Sequence, residues 1–446
     1  MKHTVPTLTA LALMGAIPAF GASIADDLSI KPKAQIQARA QLGAGGTGAN
    51  GDEWNIYSGA YGQNDPMRLS LRRARFGASA KNTTGWDAEF LIRTGERADA
   101  GAAPNGAGQG GATANQPVTL YYANIGKAFK TDALEHRIHL GLDKPFNAES
   151  TISSTTFMFP NDRAVSNLIE FRGPIVGYTL KQEMFKVGFD LGNGGNWSNF
   201  SQAGLGDING TAGGVYGPSS QGVNTSTETK PGTFVSGRIE FAPSADFMPA
   251  KKAESFAGAE GRHLVFGFDI QSDQKDQVST TVAAGAVPAR SVRQTTTMYG
   301  PDVLLHFNAI SAVADYRVVD TRQSVDGGTA ANNSAADNAT GYAYDLRFGY
   351  AIPMETGMVI EPAIGYGVAN LNKNLDEGSI SKFANGEWQA GRVSGSQIEL
   401  GVNLYWNGNA NKTQIAYTKW KGEENSVAGG EKPEAHVLTI QQQVTF

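Results

Sequence analysis

The sequence predicts an all-β chain that closes into a transmembrane antiparallel β-barrel of about 16 strands, with one connection folded inward as a constriction. Three observations carry this expectation. An export segment is followed by no apolar run long enough for a membrane helix. Segments of about ten residues alternate apolar and polar side chains. The connections between them take turns between tight and long.

The export segment is MKHTVPTLTALALMGAIPAFGASIADD. Lys2 supplies a short basic start, Leu8 to Ile17 an apolar centre, and Ser23 and Ala25 the small residues a signal peptidase needs. The apolar centre falls short of the roughly 20 residues of a spanning helix. Residues 1–25 are therefore expected to be a signal peptide, cut before Asp26 or alternatively after Gly21, and residues 26–446 the barrel.

Composition narrows the class further. Charged residues are 18 % of the 446, Gly numbers 55, and the net charge is −5, which gives no footprint for nucleic acid. Cys is absent, so thiolate chemistry, disulfides and cysteine metal sites are excluded.

Along the chain, strands are expected near 33–43, 67–81, 85–94, 118–128, 135–142, 174–181, 184–191, 233–242, 262–271, 295–308, 311–320, 341–351, 357–368, 393–406, 412–420 and 435–446. In GWDAEFLIR, Trp86, Ala88, Phe90 and Ile92 oppose Asp87, Glu89 and Arg93. In HLVFGFDIQ, Leu264, Phe266, Phe268 and Ile270 oppose Asp269 and Gln271. In GYAYDLRFGY, Tyr342, Tyr344, Leu346, Phe348 and Tyr350 oppose Asp345, Arg347 and Gly349. In SQIELGVNLYW, Ile398, Leu400, Val402, Leu404 and Trp406 oppose Glu399, Gly401 and Asn403. The second strand breaks the rhythm at Arg72-Arg73, which leaves its faces unassigned. Trp86 and Trp406 beside short turns, and Trp420 at a loop end, are placed as interface girdles.

Alternation alone also fits a soluble sandwich; the connections decide. Tight ones at 82–84, 181–183, 309–310, 352–356 and 407–411 take turns with long ones rich in Gly, Asn, Ser, Thr and Ala. Connection 243–261, PSADFMPAKKAESFAGAEG, lies on the short side yet is long for a turn. The last strand, HVLTIQQQVTF, alternates up to Phe446. A barrel wall must close because an open edge in hydrocarbon leaves backbone groups unsatisfied. Phe446 is further expected to act as the aromatic assembly signal of bacterial outer-membrane proteins.

The loop 143–169 differs from the others. It is poor in Gly and carries Phe146, Phe157, Met158 and Phe159 with Lys144, Asp162 and Arg163. Apolar residues in a loop want burial, and with the fifth strand before it the loop is expected to fold inward and narrow the lumen; the alternative is a surface loop that packs on a neighbouring subunit.

With GLDKPFNAES and TTFMFPNDRA in this loop, then RGPIVGYTL, GRIEFAP, VIEPAIGY and ELGVNLYWNGNANKTQIAYTKW, the chain resembles the phosphate-selective porin O/P family, patchily over 33–446. The resemblance implies a homotrimeric barrel of about 16 strands, a constriction made by the third loop, and arginine ladders with a lysine cluster that select phosphate. The barrel and the constriction are carried over from this resemblance; lysines are few and scattered, so the phosphate site is not. The candidates for the constriction and an anion path are Lys144 and Arg163 on the loop and Arg73, Arg75, Arg93, Arg137, Arg238, Arg317 and Arg347 on the wall, where alternation also places Lys186 inward. The densest basic cluster is Arg68, Arg72, Arg73 and Arg75. The same inward faces carry Asp87, Glu89, Asp190, Glu240, Asp269, Asp315, Asp345, Glu361 and Glu399. Arg238 and Glu240, Asp315 and Arg317, and Asp345 and Arg347 stand two apart, as compensated pairs in a hydrated lumen would.

Other chemistry finds little support. His136 and His139 fall on opposite faces of a strand, which spoils a shared metal site. No metal, cofactor or enzymatic reaction is expected. The function expected is passive diffusion of small hydrophilic solutes or ions, with mild anion preference. The alternative is a surface binding or adhesion protein that uses its long loops. Expected partners are outer-membrane lipid and lipopolysaccharide of a Gram-negative bacterium, the barrel-assembly machinery, and two further copies of the chain; nucleic acid is not among them.

Overall fold

The computed structural model describes residues 27–45, 54–55, 60–61, 67–94, 119–147, 152–161, 163–165, 173–193, 226–249, 251–256, 258, 261–280, 290–326, 338–370, 383–384, 387–388, 395–422 and 434–446. The expected signal peptide, most of the long polar loops and Asp162 lie outside the described residues.

Sixteen long strands among the described residues form one closed antiparallel sheet. They are β1 (Leu28–Gly45), β2 (Met67–Asn82), β3 (Trp86–Thr94), β4 (Thr119–Thr131), β5 (Leu134–Asp143), β6 (Gly173–Lys181), β7 (Phe185–Asn193) and β8 (Ser226–Phe241). They continue with β9 (Arg262–Thr280), β10 (Arg290–Phe307), β11 (Ile310–Asp326), β12 (Asn338–Tyr350), β13 (Val359–Asn370), β14 (Gly395–Asn407), β15 (Asn411–Gly422) and β16 (Glu434–Thr445). Each pairs with the next, a two-residue piece Ile352–Pro353 adds to the β12–β13 turn, and β1 pairs with β16. The seam runs from Gln35↔Thr445 to Gly45↔Ala435. Phe446 extends it: its N–H donates to Ala34 O at 3.0 Å, and Ala34 N–H donates back at 3.3 Å.

The outward face explains why the sheet needs a bilayer. Phe90, Ile138, Leu140, Phe189, Phe268 and Leu400 are all exposed. A soluble monomer rarely leaves such a continuous apolar belt uncovered. Aromatics ring the short-turn end: Trp86, Phe129, Phe241, Phe307, Tyr350 and Trp406 are exposed near the ends of their strands. Lys127 covers the Trp86 ring at 5.1 Å, as a cation at an interface does. A second band carries Tyr316 and Tyr342, stacked at 6.4 Å. From Tyr342 to Tyr350 is about 26 Å along β12 at ~3.3 Å per residue, or roughly 20 Å along the membrane normal once the strand tilt is taken out, a little less than the apolar belt of about 25 Å that such barrels carry.

Three expectations change. The unassigned faces of the second strand are settled by a bulge: Gln37 faces Arg73 but Ala38 faces Leu71, so Arg72 is the extra residue. A bulge flips the side-chain alternation. Met67, Leu69 and Leu71 therefore point to lipid before it, while Arg73 and Arg75 are buried inside after it. The strands flanking 271–294 and 192–232 run further into those loops than expected, since β9 reaches Thr280, β10 begins at Arg290 and β8 at Ser226. Their outer ends, such as DQVST and RSVRQTTT, are mostly polar in sequence, so no apolar rhythm marks them. Trp420 is no girdle residue: it is fully buried on the inward face of β15, its Nε1 3.3 Å from where a Cβ on Gly395 would stand.

Candidate functional site

The connection after β5 crosses the lumen. It leaves β5 at Asp143, whose carboxylate accepts from Lys144 N–H at 2.8 Å. Phe146 turns against β7, where its N–H donates to Asp190 at 2.6 Å and Lys186 lies 4.1 Å from its ring. A Cβ on Gly188 would stand 2.2 Å from Phe146, so only glycine leaves the ring its place. The chain then passes β2, where Arg75 donates to Ser154 Oγ at 3.0 Å, and reaches the far wall.

There it is held residue by residue. Gln443 donates to Thr155 O at 2.8 Å, and Lys412 and Gln414 donate to Phe157 O at 2.7 and 3.0 Å. Arg39 donates to Pro160 O, and Asn161 donates to Thr418 Oγ1 at 2.8 Å. Phe159 sits over a floor of small residues, packed with Ala363 and Ala416, where Cβ atoms on Gly365 and Gly401 would stand 3.0 and 3.1 Å from its ring. The Arg347 guanidinium covers it at 5.3 Å. Arg163 reaches Asp315 at 3.2 Å, and Val165 N–H donates to Asp345 at 2.8 Å. Phe146, Phe157, Met158 and Phe159 are all buried, as the apolar content of the loop requires.

The expected wall residues all face inward but fall into two environments. Arg73 bonds Gln37 at 3.2 Å and lies 5.8 Å from the Phe157 ring. Arg75 and Arg93 lie 4.1 and 5.2 Å from the Tyr121 ring, and both Arg93 and Lys144 are half-buried. Arg137 bonds Asp87 at 2.7 Å. Arg238, Arg317 and Arg347, by contrast, are fully buried among carboxylates. Arg238 meets Glu240 at 2.6 Å and Asp302 at 2.5 Å. Arg317 meets Asp315 at 2.6 Å, Asp269 at 3.1 Å and Asp302 at 3.2 Å. Arg347 meets Glu254 at 2.6 Å and Glu399 at 2.9 Å rather than Asp345, whose carboxylate is turned to the loop backbone. The side chain of Arg68 lies outside the described residues, and Arg72 is the bulge residue.

His139 faces inward, 3.5 Å from Asp190, while His136 faces outward, stacked on Phe129 at 4.8 Å. Several residues of the site were not anticipated. Arg39 with Gln37, Gln441 and Gln443 forms a polar strip on the seam, where Gln37 donates to Gln443 at 2.6 Å. Asp302 and Tyr121 stand on strands whose rhythm is irregular; a register shift between Leu91 and Ile92 makes Tyr121 a bulge residue. Glu254 stands on the long short-side connection. Next to it, Lys252 pairs with Glu240, and burial beside Arg238 pushes its ammonium down to about 8.

No family model and no curated protein matches the chain. Solved structures do. The outer membrane channel DcaP of Acinetobacter baumannii is similar over 94 % of this chain and 98 % of its own, at 10 % identity and a TM-score of 0.51. The fold is that of an outer-membrane channel. OmpT of Vibrio cholerae in its trimer form covers 94 % and 100 %, at 8 % identity and a TM-score of 0.46. An anion-selective porin from Comamonas acidovorans covers 94 % and 100 %, at 12 % identity and a TM-score of 0.42. The closed wall, its outward apolar belt and the likeness to the DcaP channel make the chain a multi-pass β-barrel of the Gram-negative outer membrane, with a loop folded into its lumen.

Proposed function

We propose that this barrel is a porin that lets small hydrophilic solutes and ions diffuse passively, with mild anion preference and no saturable phosphate site. The observation that carries the reading is the lumen itself. Among the described residues its inward faces are rich in charged and amide side chains, apart from an apolar patch on β9–β11, and one loop narrows it by crossing from β5 to β15. Such a pore sorts by size at the constriction and orients solutes by local charge.

Arg75 and Arg93 stand over Tyr121, Arg75 also bonds Ser154, and Arg73 lies beside Phe157, all at the level of the loop, with Lys144 at its base; these are the residues we assign to the anion path. Exposed charges further off than about one Debye length, ~10 Å at 0.1 M salt, are screened, so this local cluster outweighs the net acidity of the chain. Arg238, Arg317 and Arg347 are engaged by carboxylates, which argues against the phosphate ladder that the resemblance to the O/P family implies. A homotrimer anchored in lipopolysaccharide and lipid, with Phe446 read during assembly, belongs to the same proposal.

The test is the reversal potential of purified protein in asymmetric KCl, with phosphate then added. A mild anion-selective potential, and chloride current undiminished by millimolar phosphate, supports the proposal. A strongly cation-selective potential, or block by millimolar phosphate, contradicts it.

A further inference from the structure

The connection between β8 and β9 enters the lumen from the opposite mouth. Short turns mark the periplasmic end of such barrels. From that end the chain runs inward until Lys252 forms a parallel bridge with Ile152 of the constriction loop. Ser255 N–H donates to Thr156 O at 2.9 Å and Glu254 N–H to Thr156 Oγ1 at 3.3 Å. Phe256 N–H donates to Glu361 at 3.0 Å, and the Phe256 ring meets Tyr405 at 5.6 Å. His306 and Ala253 O are 2.6 Å apart. The Glu254 carboxylate lies between Arg347 at 2.6 Å and Arg163 of the loop at 3.9 Å.

The wall beneath this segment is not built for water. Val265, Leu304 and Val313 are buried and apolar on the inward side of β9, β10 and β11, and Met248 packs on them. A water-filled pore gains nothing from apolar residues there; a permanent cover does. The charged groups give the same division. Side chains of Arg163, Arg238, Arg317, Arg347, Glu254 and Glu399 are 1 % exposed or less. Across the lumen, on β1, β3 and β5, Lys33 is 41 %, Glu89 30 %, Arg137 33 % and Asp87 27 % exposed, while on the same side Arg39, Arg73 and Arg75 are buried where the inward loop passes. A recess of about 490 Å³ opens on that side, lined by Lys31, Ser79, Asp87, Glu89, Asn124 and Asp143 among others.

We propose that the described residues 247–249 and 251–256 form a second constriction element, a periplasmic-side plug joined to the inward loop through Glu254, and that it confines permeation to a lane along β1–β5. This rests on the porin reading. The lane presents acidic and basic groups side by side, carboxylates of Asp87, Glu89 and Asp143 beside Lys31, Lys33 and Arg137. It therefore suits small polar solutes that carry both charges, and excludes apolar ones. The filled half holds the arginine–carboxylate network away from solute.

The chain has no cysteine, so single cysteines report cleanly. Ser79→Cys marks the lane; Ser311→Cys and Gln397→Cys mark the filled half, where both residues are buried. With the full-length protein in proteoliposomes and a membrane-impermeant cationic methanethiosulfonate, Ser79→Cys should react at least a hundredfold faster than the other two. Replacing 247–258 by a short Gly/Ser linker should make Ser311→Cys reactive and raise single-channel conductance. Should that variant not assemble, the Ile152→Cys/Lys252→Cys pair keeps the test open: its disulfide should form and leave conductance within a few per cent of the reduced protein. Equal reactivity at Ser79→Cys and Ser311→Cys, or a conductance that changes when the disulfide closes, overturns the plug. Labelling needs no current, so a barrel that shows this pattern without conducting refutes the porin reading and leaves the plug standing.

Discussion

Phe159→Ala should unseat the constriction loop without opening the barrel wall. The ring is 1 % exposed, lies on the glycine floor of Gly365 and Gly401, and is covered by Arg347. Truncating a buried Phe to Ala costs about 3–5 kcal/mol, because the ring's transfer energy is lost and a cavity remains. The lower figure fits a loop end that can partly collapse onto its floor. About 3 kcal/mol shifts the seated-to-unseated ratio roughly 150-fold. The anchors from Lys412, Gln414 and Asn161 remain, so the loop should open in excursions rather than leave. Single-channel recording should show a noisier open level with brief steps of higher conductance. Heat-modifiable migration should stay that of the parent, since no wall hydrogen bond is touched. Phe159→Leu should restore a quiet trace. A Phe159→Ala channel with parental conductance and noise, in correctly folded protein, would refute the claim that this ring seats the loop.

Four further outcomes follow from the same geometry. Gly401→Val should overpack the same seat at a cost of about 1–3 kcal/mol and give the same noise from the wall side. Replacing residues 150–158 by a short Gly/Ser linker should raise single-channel conductance; unchanged conductance in intact protein would place the loop outside the path. Arg73→Glu with Arg75→Glu should move the reversal potential toward cations, and unaltered selectivity would show that the cluster does not face the path. Deleting Phe446 removes the last backbone pair of the β1–β16 seam and should lower the amount of folded barrel in the outer membrane, read by heat-modifiable migration, with channels that do assemble conducting normally.

The wall was legible in the sequence because a lipid-facing strand must place an apolar side chain at every second position. That constraint is local, and it marks β3, β12 and β14 almost to their ends. Where the wall leaves hydrocarbon, as in the outer parts of β9 and β10, the constraint lapses and so does the signal. The bulge at Arg72 was visible only as a broken rhythm, since its meaning depends on the register with β1. The constriction loop announced itself through four apolar residues in a Gly-poor stretch, but its landing place did not. Gly365, Gly401 and Lys412 are distant in sequence and unremarkable alone. The segment 243–261 was out of proportion to its place between two strands, yet its destination depends on Val265, Leu304 and Val313. These read in sequence as ordinary members of their strands. Pairing of Arg238 with Glu240 and of Arg317 with Asp315 follows from two-residue spacing on one face. The partners of Arg347 do not, because Glu254 arrives from another part of the chain.

The central claim is that folded barrel forms a water-filled passage past the inward loop. Its most direct test is single-channel conductance of purified, heat-modifiable protein in planar bilayers, measured as KCl is raised from 0.1 to about 1 M. An open aqueous path predicts discrete current steps whose size grows nearly in proportion to bulk conductivity, because fixed charges are increasingly screened as the Debye length shrinks from ~10 to ~3 Å. Folded barrel that inserts yet gives no steps, or steps that saturate at low salt, would contradict it.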